Sequence, residues 1–321
     1  MTLRRRLLLG STLALPLAAP ALAFPERPVR IVLGFPAGTG PDVVARILAD
    51  ALRETWPAGA VVDNRPGAAG HTAAQEVARA APDGHTLLFG EVGQLAMAPS
   101  TYARLSYDPA RDFAPVAEVA SIGFTFVIPA AVPANDLPNY VAWARAQQPL
   151  FMATFGAGTP GHFAASILAA SAGLTMEAVH FRSTGEAMTA VLNGQVQGMF
   201  GSNVLVAPHV AAGRVKALMT TGAARAAAMP SVPTAVELGL PALGIEAWFG
   251  LVAPAATPAP ALAALEAATL RALAVPAVQA RLQDAGFRVA ARGREAFGAF
   301  IRAETVRWAG IVRETGFRAI E

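Results

Sequence analysis

An apolar strand, a glycine-containing loop and an amphipathic helix follow one another repeatedly along this chain. The first unit has a strand at 29–35, a loop of glycine and proline at 36–41 and a helix at 42–56. On one face of that helix apolar residues recur every fourth position, namely Val43, Ile47 and Ala51. The next strands and helices are expected at 60–63, 71–81 and 86–89. Because strands that alternate with helices form parallel sheets with right-handed crossovers, the pattern predicts an α/β fold.

The alternation resumes after Phe113 and predicts a second α/β unit in the middle of the chain. Its strands are expected at 116–129, 150–155, 178–182, 196–200 and 215–221, and its helices from 137 onward, at 162–172 and at 185–192. The C-terminal part has helical stretches at 258–273, 276–285 and 294–315 and no strand pattern. We expect these helices to pack on the first unit. The predicted domains are therefore 24–125 with 247–321, and 126–246, with crossings near 120–127 and 240–250 and a ligand cleft between them.

The first 23 residues have the layout of a secretory signal peptide. Three arginines at 4–6 precede an apolar stretch at 7–18, and residues 21–23 form an A-x-A cleavage site. The stretch is shorter than the ~20 residues of a spanning helix and Pro16 interrupts it, which disfavours a membrane anchor. The arginine run fits either a Sec or a twin-arginine signal. Both routes predict a soluble periplasmic protein.

Composition excludes several classes of function. The whole chain has 25 Lys and Arg against 22 Asp and Glu, and removal of the three signal arginines leaves equal numbers. A mature chain without net charge offers no basic field for nucleic acid or an anionic membrane. The chain has no cysteine, which excludes disulfides, thiolate sites and thioether-linked lipid. The five histidines show no paired metal spacing, so we expect neither a metal nor a cofactor.

Two glycine loops, at 36–42 and 65–71, are the first candidates for a binding site. Each follows a predicted parallel strand and precedes a helix, so both are expected at the carboxyl edge of the sheet, where ligands bind. Glycine lets the backbone approach a ligand closely, and free N–H groups with the dipole of the following helix attract an anion. Two such loops side by side predict a receptor for a carboxylate or phosphate, although simple tight turns fit the same sequences.

A third loop, Gly156-Ala157-Gly158-Thr159-Pro160-Gly161, matches G-x-G-x-x-G between a strand and a helix. A nicotinamide enzyme would place an acidic ribose ligand at the end of the next strand. Here Glu177 precedes that strand, which ends at His180-Phe181-Arg182. The sequence therefore favours a third anion-binding loop, from the second domain, over a dinucleotide site.

Four further side chains adjoin these loops. His71 and His162 fall in the first turn of a predicted helix, where the positive dipole end disfavours imidazolium. We expect both to be neutral and able to donate one N–H, although a capping or solvent-facing histidine fits the same position. Asp42 follows Pro41 at a helix start, where it suits an N-cap that shapes the loop. Phe35 ends a strand and is a candidate pocket wall or a core residue.

A series of short motifs runs in order through nearly the whole mature chain. They are Arg27-Pro28, Phe35-Pro36-Ala37-Gly38 with Asp42 and Ala45-Arg46, Val62-Asp63-Asn64-Arg65-Pro66-Gly67-Ala68, Ala81-Pro82-Asp83-Gly84-His85-Thr86-Leu87, Tyr107-Asp108-Pro109, Arg111-Asp112-Phe113, Gly156-Ala157-Gly158-Thr159 with His162, Pro230, Val232-Pro233-Thr234, Glu237-Leu238-Gly239 and Ala253-Pro254. Together they resemble the Bug family, also called the TctC family, of extracytoplasmic solute receptors of tripartite tricarboxylate transporters. The number and order of the motifs make the resemblance specific.

The resemblance implies a type II periplasmic-binding-protein fold, in which two α/β domains joined by two crossover strands close around a ligand. Members of the family bind small carboxylates, including dicarboxylates, acidic amino acids and aromatic acids. By resemblance, the loops at 36–42 and 66–71 hold one ligand carboxylate through backbone N–H groups and ordered waters. Thr154 and residues 156–162 close over it from the second domain, and Phe35 corresponds to the family's aromatic wall.

Several positions depart from the family pattern, namely Thr39, Pro41, Ala69, Ser183, Gly201 and Glu91. Glu91 replaces a small polar residue at a strand end that should point into the cleft. An ionised carboxylate there would repel a dicarboxylate and attract an ammonium group. Our hypothesis is that the ligand carries one carboxylate and a cationic or hydrogen-bond-donating end.

The sequence thus predicts a receptor rather than an enzyme. The expected ligand-binding residues are Phe35, Ala37, Gly38, Thr39, Gly40, Asp42, Gly67, Ala68, Ala69, Gly70, His71, Glu91, Thr154, Gly158, Thr159, His162 and Ser202. The expected partners are a small carboxylate or amino-acid-like ligand and the membrane subunits of a tripartite transporter, with the protein as a monomer. Two alternatives stay open: a sensor that docks onto a signalling ectodomain, and a periplasmic hydrolase using His162 or His71, for which the chain has no G-x-S-x-G motif.

Overall fold

The computed structural model describes residues 24–321. The signal peptide predicted at 1–23, with its cleavage site and export route, lies outside the described residues. Within 24–321, no single helix is long and apolar enough to cross a membrane. The helices Ala259–Ala274 and Pro276–Asp284, bent by 75° relative to each other, pass that test only when they are taken together.

Strands and helices alternate through most of the described chain. The strands are β1 (Val29–Leu33), β2 (Ala60–Asn64), β3 (Thr86–Glu91), β4 (Phe113–Pro129), β5 (Leu150–Thr154), β6 (Met176–His180), β7 (Gly198–Ser202), β8 (Val215–Thr220), β9 (Glu246–Pro254) and β10 (Arg288–Gly293). The helices are α1 (Gly40–Leu52), α2 (His71–Ala78), α3 (Ala98–Thr101), α4 (Pro109–Asp112), α5 (Leu137–Ala144), α6 (Pro160–Ala172), α7 (Thr184–Leu192), α8 (Asn203–Ala211), α9 (Ala259–Ala274), α10 (Pro276–Asp284) and α11 (Arg294–Glu314).

The strands form two lobes that share β4. In lobe 1, β1 lies parallel between β2 and β3, and β9 joins β3 to β4 in antiparallel pairing. In lobe 2, β5 lies parallel between β6 and β7, and both β7 and β8 pair antiparallel with β4. Because β1, β2 and β3 run in one direction, the loops that follow them meet at one edge of lobe 1. The loops after β5, β6 and β7 meet in the same way at one edge of lobe 2.

Strand β4 passes from one lobe into the other. Its first half pairs with β9 as far as Gly123 opposite Glu246, and from Phe124 opposite Ser202 it pairs with β7. This change of partner falls inside the segment 120–127 where the sequence predicts a crossing. Strand β9 returns the chain to lobe 1. The two strands β4 and β9 therefore form the connection about which the lobes can rotate.

Helix α11 packs on both lobes. Glu304 of this helix is buried and accepts the indole N–H groups of Trp248 in β9 and Trp308, at 3.2 and 3.1 Å. The Trp308 ring lies 5.6 Å from Phe163 of α6, which is also 5.2 Å from Phe317. The Glu304 carboxylate thus fixes α11 to the crossover strand β9. Through Trp308, the apolar face of α11 also packs on lobe 2.

Three local features differ from what the sequence predicts. The C-terminal part is not purely helical, because β10 pairs antiparallel with β4; its sequence carries one large apolar residue, Val289, too few to show an alternation. Helix α8 was not predicted, and Pro208 inside it removes a backbone donor. Helix α1 begins two residues before Asp42, with Thr39 in the cap position, so Asp42 is not the N-cap.

Candidate functional site

Asp42 and Asn64 fix the loop between β1 and α1. Asp42 is buried, and its Oδ2 accepts the N–H of Gly38 and the Nε of Arg46, both at 2.9 Å. Asn64 at the end of β2 donates to Asp42 Oδ1 at 2.8 Å and to the Phe35 carbonyl at 3.0 Å. Burial alone would raise the pKa of Asp42, but hydrogen bonds from Arg46, Gly38 and Asn64 outweigh it and hold this pKa below its ordinary value. An ionised carboxylate therefore shapes the loop, as the sequence predicts, although not as a cap.

The second loop is a run of left-handed residues. The φ angles are 146° at Gly67, 45° at Ala68, 52° at Ala69 and 88° at Gly70. For the two alanines this conformation costs about 1–2 kcal/mol each, so the surrounding contacts must hold it. Turns of this kind present successive N–H groups on their concave side, and the N-terminus of α2 directly after it adds positive potential. Within it, Gly70 donates to the Gly67 carbonyl at 2.8 Å and His71 donates to the Ala68 carbonyl, so the N–H groups that the loop can offer a ligand are those of residues 67–69.

Gln94 joins the second loop to the ends of β1 and β3. It is fully buried, its Nε2 donates to the Gly70 carbonyl at 2.8 Å, and its Oε1 accepts the N–H of Glu91 at 3.1 Å. Gly34, at the end of β1, must lack a side chain, because a Cβ there would lie 2.6 Å from Gly70 Cα and 2.7 Å from Gln94 Nε2. One amide side chain therefore holds the second glycine loop against the ends of β1 and β3.

A tyrosine fixes which ring nitrogen of His71 carries a hydrogen. Tyr107 donates its hydroxyl hydrogen to the Gln94 carbonyl at 2.9 Å, and His71 Nδ1 lies 2.7 Å from the same hydroxyl oxygen. Because the hydroxyl has a single hydrogen, His71 must donate from Nδ1, which leaves Nε2 as an acceptor. Burial lowers the pKa of His71. Burial therefore favours the neutral His71 that the sequence predicts, with its one N–H committed to Tyr107.

Glu91 ends β3 beside this group. Its carboxyl accepts the backbone N–H groups of Gly93 and Gln94, and burial, which outweighs these bonds, raises its pKa to about 7. Burial and then the Glu91 charge raise the pKa of the Tyr102 and Tyr107 hydroxyls. At neutral pH Glu91 is therefore close to half ionised and can either accept or donate a hydrogen bond.

Phe35 lies at the outer end of an aromatic stack next to the first loop. Its ring meets the edge of Phe249 with centroids 6.4 Å apart, and Phe249 stacks on Phe89 at 5.8 Å. Phe287 completes the group at 5.8 Å from Phe249. The stack gives Phe35 a fixed position from which it can wall a cleft.

The loop at 156–162 in lobe 2 fixes the position and the tautomer of His162. Thr159 caps α6, donating to the Gly156 carbonyl at 2.9 Å and accepting the His162 N–H at 3.4 Å. His162 Nδ1 accepts the N–H of Gly158 at 3.2 Å, so the neutral ring carries its hydrogen on Nε2. Burial, and next the neighbouring His180, lower the pKa of His162 to about 4. His162 is neutral as predicted, and its N–H is a donor.

Thr154 and His180 form a second pair in this loop cluster. Thr154 is buried at the end of β5, and its Oγ1 lies 2.5 Å from His180 Nδ1 at the end of β6. The His180 ring is 5.0 Å from that of His162. Ser202 ends β7 opposite Phe124 and therefore lies beside the crossover strand β4. The Phe124 ring stacks on Phe155, with centroids 6.3 Å apart.

The two lobes meet beside these loops. A Cβ at Gly158 of lobe 2 would lie 3.2 Å from Phe317, which follows α11, and 3.6 Å from Thr101 of α3. The next residue, Tyr102, packs edge-on against His71 with centroids 4.4 Å apart. The structure therefore brings the 156–162 loop to the same part of the molecule as His71 and its loop.

Asn64, Gln94, Tyr107 and His180 were not predicted as site residues. Asn64 and Tyr107 occur in the family-like motifs given above, and those motifs were the signal by which the two residues could have been recognised. Gln94 acts on partners 24 residues away at Gly70 and 13 residues away at Tyr107, so no local pattern marks it.

Two arginines next to the loops of lobe 1 are paired with carboxylates. Arg46 binds Asp42 at 2.9 Å, and Arg65 binds Asp63 at 3.0 Å. Across 24–321, no group of three or more His, Asp and Glu side chains is placed to hold a metal ion. What the loops of lobe 1 offer an anion is therefore backbone N–H groups and helix N-termini, and lobe 2 adds the neutral His162.

Residues 44–317 match the family described as the tripartite tricarboxylate transporter family receptor, TctC. The chain belongs to the TctC family. This membership confirms the resemblance carried by the sequence motifs.

Three solved structures are similar to nearly the whole chain. The periplasmic binding protein BugD is 30% identical, with a TM-score of 0.80 over 92% of this chain and 100% of that one. MatC from Rhodopseudomonas palustris with bound malate is 34% identical, with a TM-score of 0.77 over 90% and 100%. Rpa4515 from R. palustris with adipate is 26% identical, with a TM-score of 0.83 over 92% and 100%. These likenesses confirm the predicted two-domain α/β periplasmic-binding-protein fold.

Proposed function

We propose that this protein is a periplasmic receptor that captures a small carboxylate between its lobes and delivers it to the membrane subunits of a tripartite tricarboxylate transporter. Membership of the TctC family and the malate and adipate in two similar structures support the ligand class. The observation that carries the proposal is the pair of neighbouring glycine loops, of which Asn64 fixes the first and Gln94 the second. Together they offer two helix N-termini and a left-handed run of N–H donors to one anion.

The lobes in this proposal are residues 24–125 with 247–321, and residues 126–246. Rotation about β4 and β9 brings Thr154 and the 156–162 loop over a carboxylate held on lobe 1. His162 then donates its Nε2 hydrogen to the ligand from the second side. No bond of the ligand is made or broken, and the monomer in its closed form is what the membrane subunits recognise.

The protonation states favour a ligand with two different ends. His71 Nε2 is an acceptor, and Glu91 with a pKa of about 7 is largely an acceptor above neutral pH. The N–H groups of the glycine loops and His162 are donors. The ligand therefore carries a carboxylate for the donors and a hydroxyl or ammonium group for Glu91 and His71.

The direct test is ligand-dependent stability of residues 24–321. Thermal unfolding is followed with mono-, di- and tricarboxylates, hydroxy acids, amino acids, aromatic acids and uncharged sugars. A ligand at 100 times its dissociation constant adds about 2.7 kcal/mol, which raises Tm by several degrees. Recovery of the unchanged ligand separates a receptor from a hydrolase. No shift with any carboxylate, or product formation, contradicts the proposal.

A matched pair of glycine variants locates the site. Gly38 and Gly239 have φ angles of 81° and 75°, and a Cβ would meet no atom within 4 Å at either. Gly38→Ala and Gly239→Ala therefore impose similar backbone strain, but only Gly38 lies in a proposed ligand loop. We expect similar losses of stability and a weaker carboxylate affinity in Gly38→Ala alone. Equal affinities in the two variants would contradict the placement of the site.

A further inference from the structure

A C-terminal segment, residues 317–321, is fixed to lobe 1 by its backbone. After α11 the chain turns at Gly316, which has a left-handed φ of 64°. Ile320 then donates its N–H to the Thr101 carbonyl at 2.8 Å, and its own carbonyl accepts the N–H of Ala103 at 2.9 Å. These bonds form an isolated parallel bridge between the segment and the end of α3. Two backbone hydrogen bonds therefore hold the C-terminal segment on lobe 1.

The side chains of the same segment contact the glycine loop of lobe 2. A Cβ at Gly158 would lie 3.2 Å from Phe317 and 3.5 Å from Ile320. The Phe317 ring meets the His162 ring edge-on, with centroids 5.7 Å apart, and lies 5.2 Å from the fully buried Phe163. Aromatic rings in this arrangement attract each other in addition to burying apolar area. The C-terminal segment thus contacts lobe 1 with its backbone and lobe 2 with its side chains.

Gly158 connects Phe317 to the ligand donor. The Gly158 N–H donates to His162 Nδ1 at 3.2 Å, which keeps the hydrogen of the neutral ring on Nε2. Phe317 therefore contacts both members of this hydrogen bond. Burial, to which the Phe317 ring contributes, is also the main cause that lowers the pKa of His162 to about 4. Without Phe317, water would reach the His162 ring and the loop would lose the contact opposite Gly158.

The segment also adjoins the half of the site that lies in lobe 1. Tyr102, the partner of Ile320 in the bridge, packs edge-on against His71 with centroids 4.4 Å apart. His71 begins α2 directly after the second glycine loop. Through Tyr102 on one side and Phe317 on the other, the C-terminal segment therefore links the surroundings of the two histidines of the site.

We propose that the C-terminal segment is a positioning element of the ligand site: it holds the glycine loop of lobe 2 beside lobe 1, and Phe317 fixes the His162 ring in the orientation from which it donates to the ligand carboxylate. This inference rests on the proposed function, in which His162 is that donor. Phe317 acts on the ligand through His162.

A matched pair of phenylalanine variants separates this role from simple packing. Phe317→Ala removes the proposed contact, and Phe300→Ala is the control. Phe300 is also half-buried, but its ring packs on Trp248 at 5.4 Å and against the guanidinium of Arg292, both in lobe 1. Both variants should lose stability because both lose packing. Only Phe317→Ala should change His162 and the ligand site.

The first measurement follows His162 by NMR in residues 24–321 without ligand. Its ring C–H protons are assigned with His162→Gln and followed from pH 8 to pH 5. In wild type and Phe300→Ala the ring should stay neutral over this range, because burial lowers its pKa to about 4. In Phe317→Ala it should gain its proton within the range, with a midpoint at least about one pH unit higher, because water reaches the ring. A His162 that titrates alike in Phe317→Ala and Phe300→Ala overturns the proposal.

The second measurement is ligand release, followed by stopped-flow tryptophan fluorescence with malate and adipate as probes. Phe317→Ala should release a bound probe about 2–10-fold faster, the range for loss of one aromatic contact, with a nearly unchanged association rate. Phe317→Leu keeps an apolar side chain against Gly158 and should recover part of the change, and Phe300→Ala should release the probe like wild type. Equal release from Phe317→Ala and wild type overturns the proposal. If neither probe binds to wild type, the proposed function is contradicted, and the His162 titration alone decides on the role of Phe317.

Discussion

Replacing Glu91 by Gln should make the stability of the protein less dependent on pH. Burial raises the pKa of Glu91 to about 7 from the ordinary 4.5. A carboxyl whose pKa is raised on folding binds its proton more tightly in the folded state. Its contribution to stability is therefore complete below pH 4.5 and is lost as pH rises towards 7. A glutamine at this position does not titrate and still offers an oxygen to the N–H groups of Gly93 and Gln94.

The size of the effect follows from the shift. Each pKa unit corresponds to 1.36 kcal/mol, so a rise from 4.5 to about 7 is worth about 3 kcal/mol. Ionisation of Glu91 thus costs the folded state about 3 kcal/mol between pH 4 and pH 8. Other carboxyls, such as Asp42 with its lowered pKa, act in the opposite direction in both proteins. The difference between wild type and Glu91→Gln isolates Glu91.

The assay is urea unfolding of residues 24–321 at pH 4 and pH 8, for wild type and Glu91→Gln. We expect the unfolding free energy of the variant, relative to wild type, to increase by about 3 kcal/mol from the lower to the higher pH. Glu177→Gln, at an exposed position in β6, measures the general effect of removing one negative charge and is subtracted. A variant-to-wild-type difference that is the same at both pH values would refute the argument that Glu91 is held in a desolvated position.

Three further outcomes test the site and the packing. If ionised Glu91 selects an ammonium group, the affinity ratio of aspartate to succinate should fall about tenfold from pH 8 to pH 6, because the ionised fraction of Glu91 falls. Glu91→Ser should abolish this change. Isothermal titration calorimetry at the two pH values measures the ratio. Gly250→Ala should destabilise the protein by about 2–4 kcal/mol, because its Cβ would overlap Phe297 and lie 2.7 Å from a backbone carbonyl oxygen. Gly310→Ala, in open space within α11, should instead stabilise the protein by about 0.5–1 kcal/mol. Urea unfolding of the two variants measures both effects. Glu304→Ala should cost about 3–5 kcal/mol by leaving two indole N–H groups without their acceptor, and near-wild-type stability would contradict the role given to this carboxylate.

The order of elements could be predicted because each is a local pattern. The glycine loops and the crossover at β4 were found in this way. The buried face of α1 was not, because the chosen stripe began at Val43, which is 38% exposed, whereas Val44 and Leu48 are fully buried. In a helix packed on a sheet the buried face is wider than a single row of every fourth residue. The sequence therefore indicates that a helix has an apolar face, but it locates the centre of that face less reliably.

The loop positions of the candidate site could be predicted, but the side chains that hold those loops could not. Asp42 acts within its own loop, and its role is partly visible from its place beside glycine and proline. Gln94 and Tyr107 act on groups that only the folded chain brings near, and both lie on elements without a strong pattern of their own. The protonation of Glu91 was missed for the same reason. Its carboxyl was assumed to be ionised, whereas burial at the end of β3 brings its pKa to about 7.

In the proposed receptor, affinity and selectivity come from different groups. A free arginine in the cleft would bind almost any carboxylate tightly through two charge-assisted hydrogen bonds. The neighbouring Arg46 and Arg65 are instead paired with Asp42 and Asp63, which leaves backbone N–H donors to hold the ligand carboxylate. Such donors differ little in their preference among carboxylates, and each bond to the charged group contributes about 1.5–3 kcal/mol. Discrimination must then come from the other end of the ligand, where Glu91 changes from acceptor to donor near neutral pH.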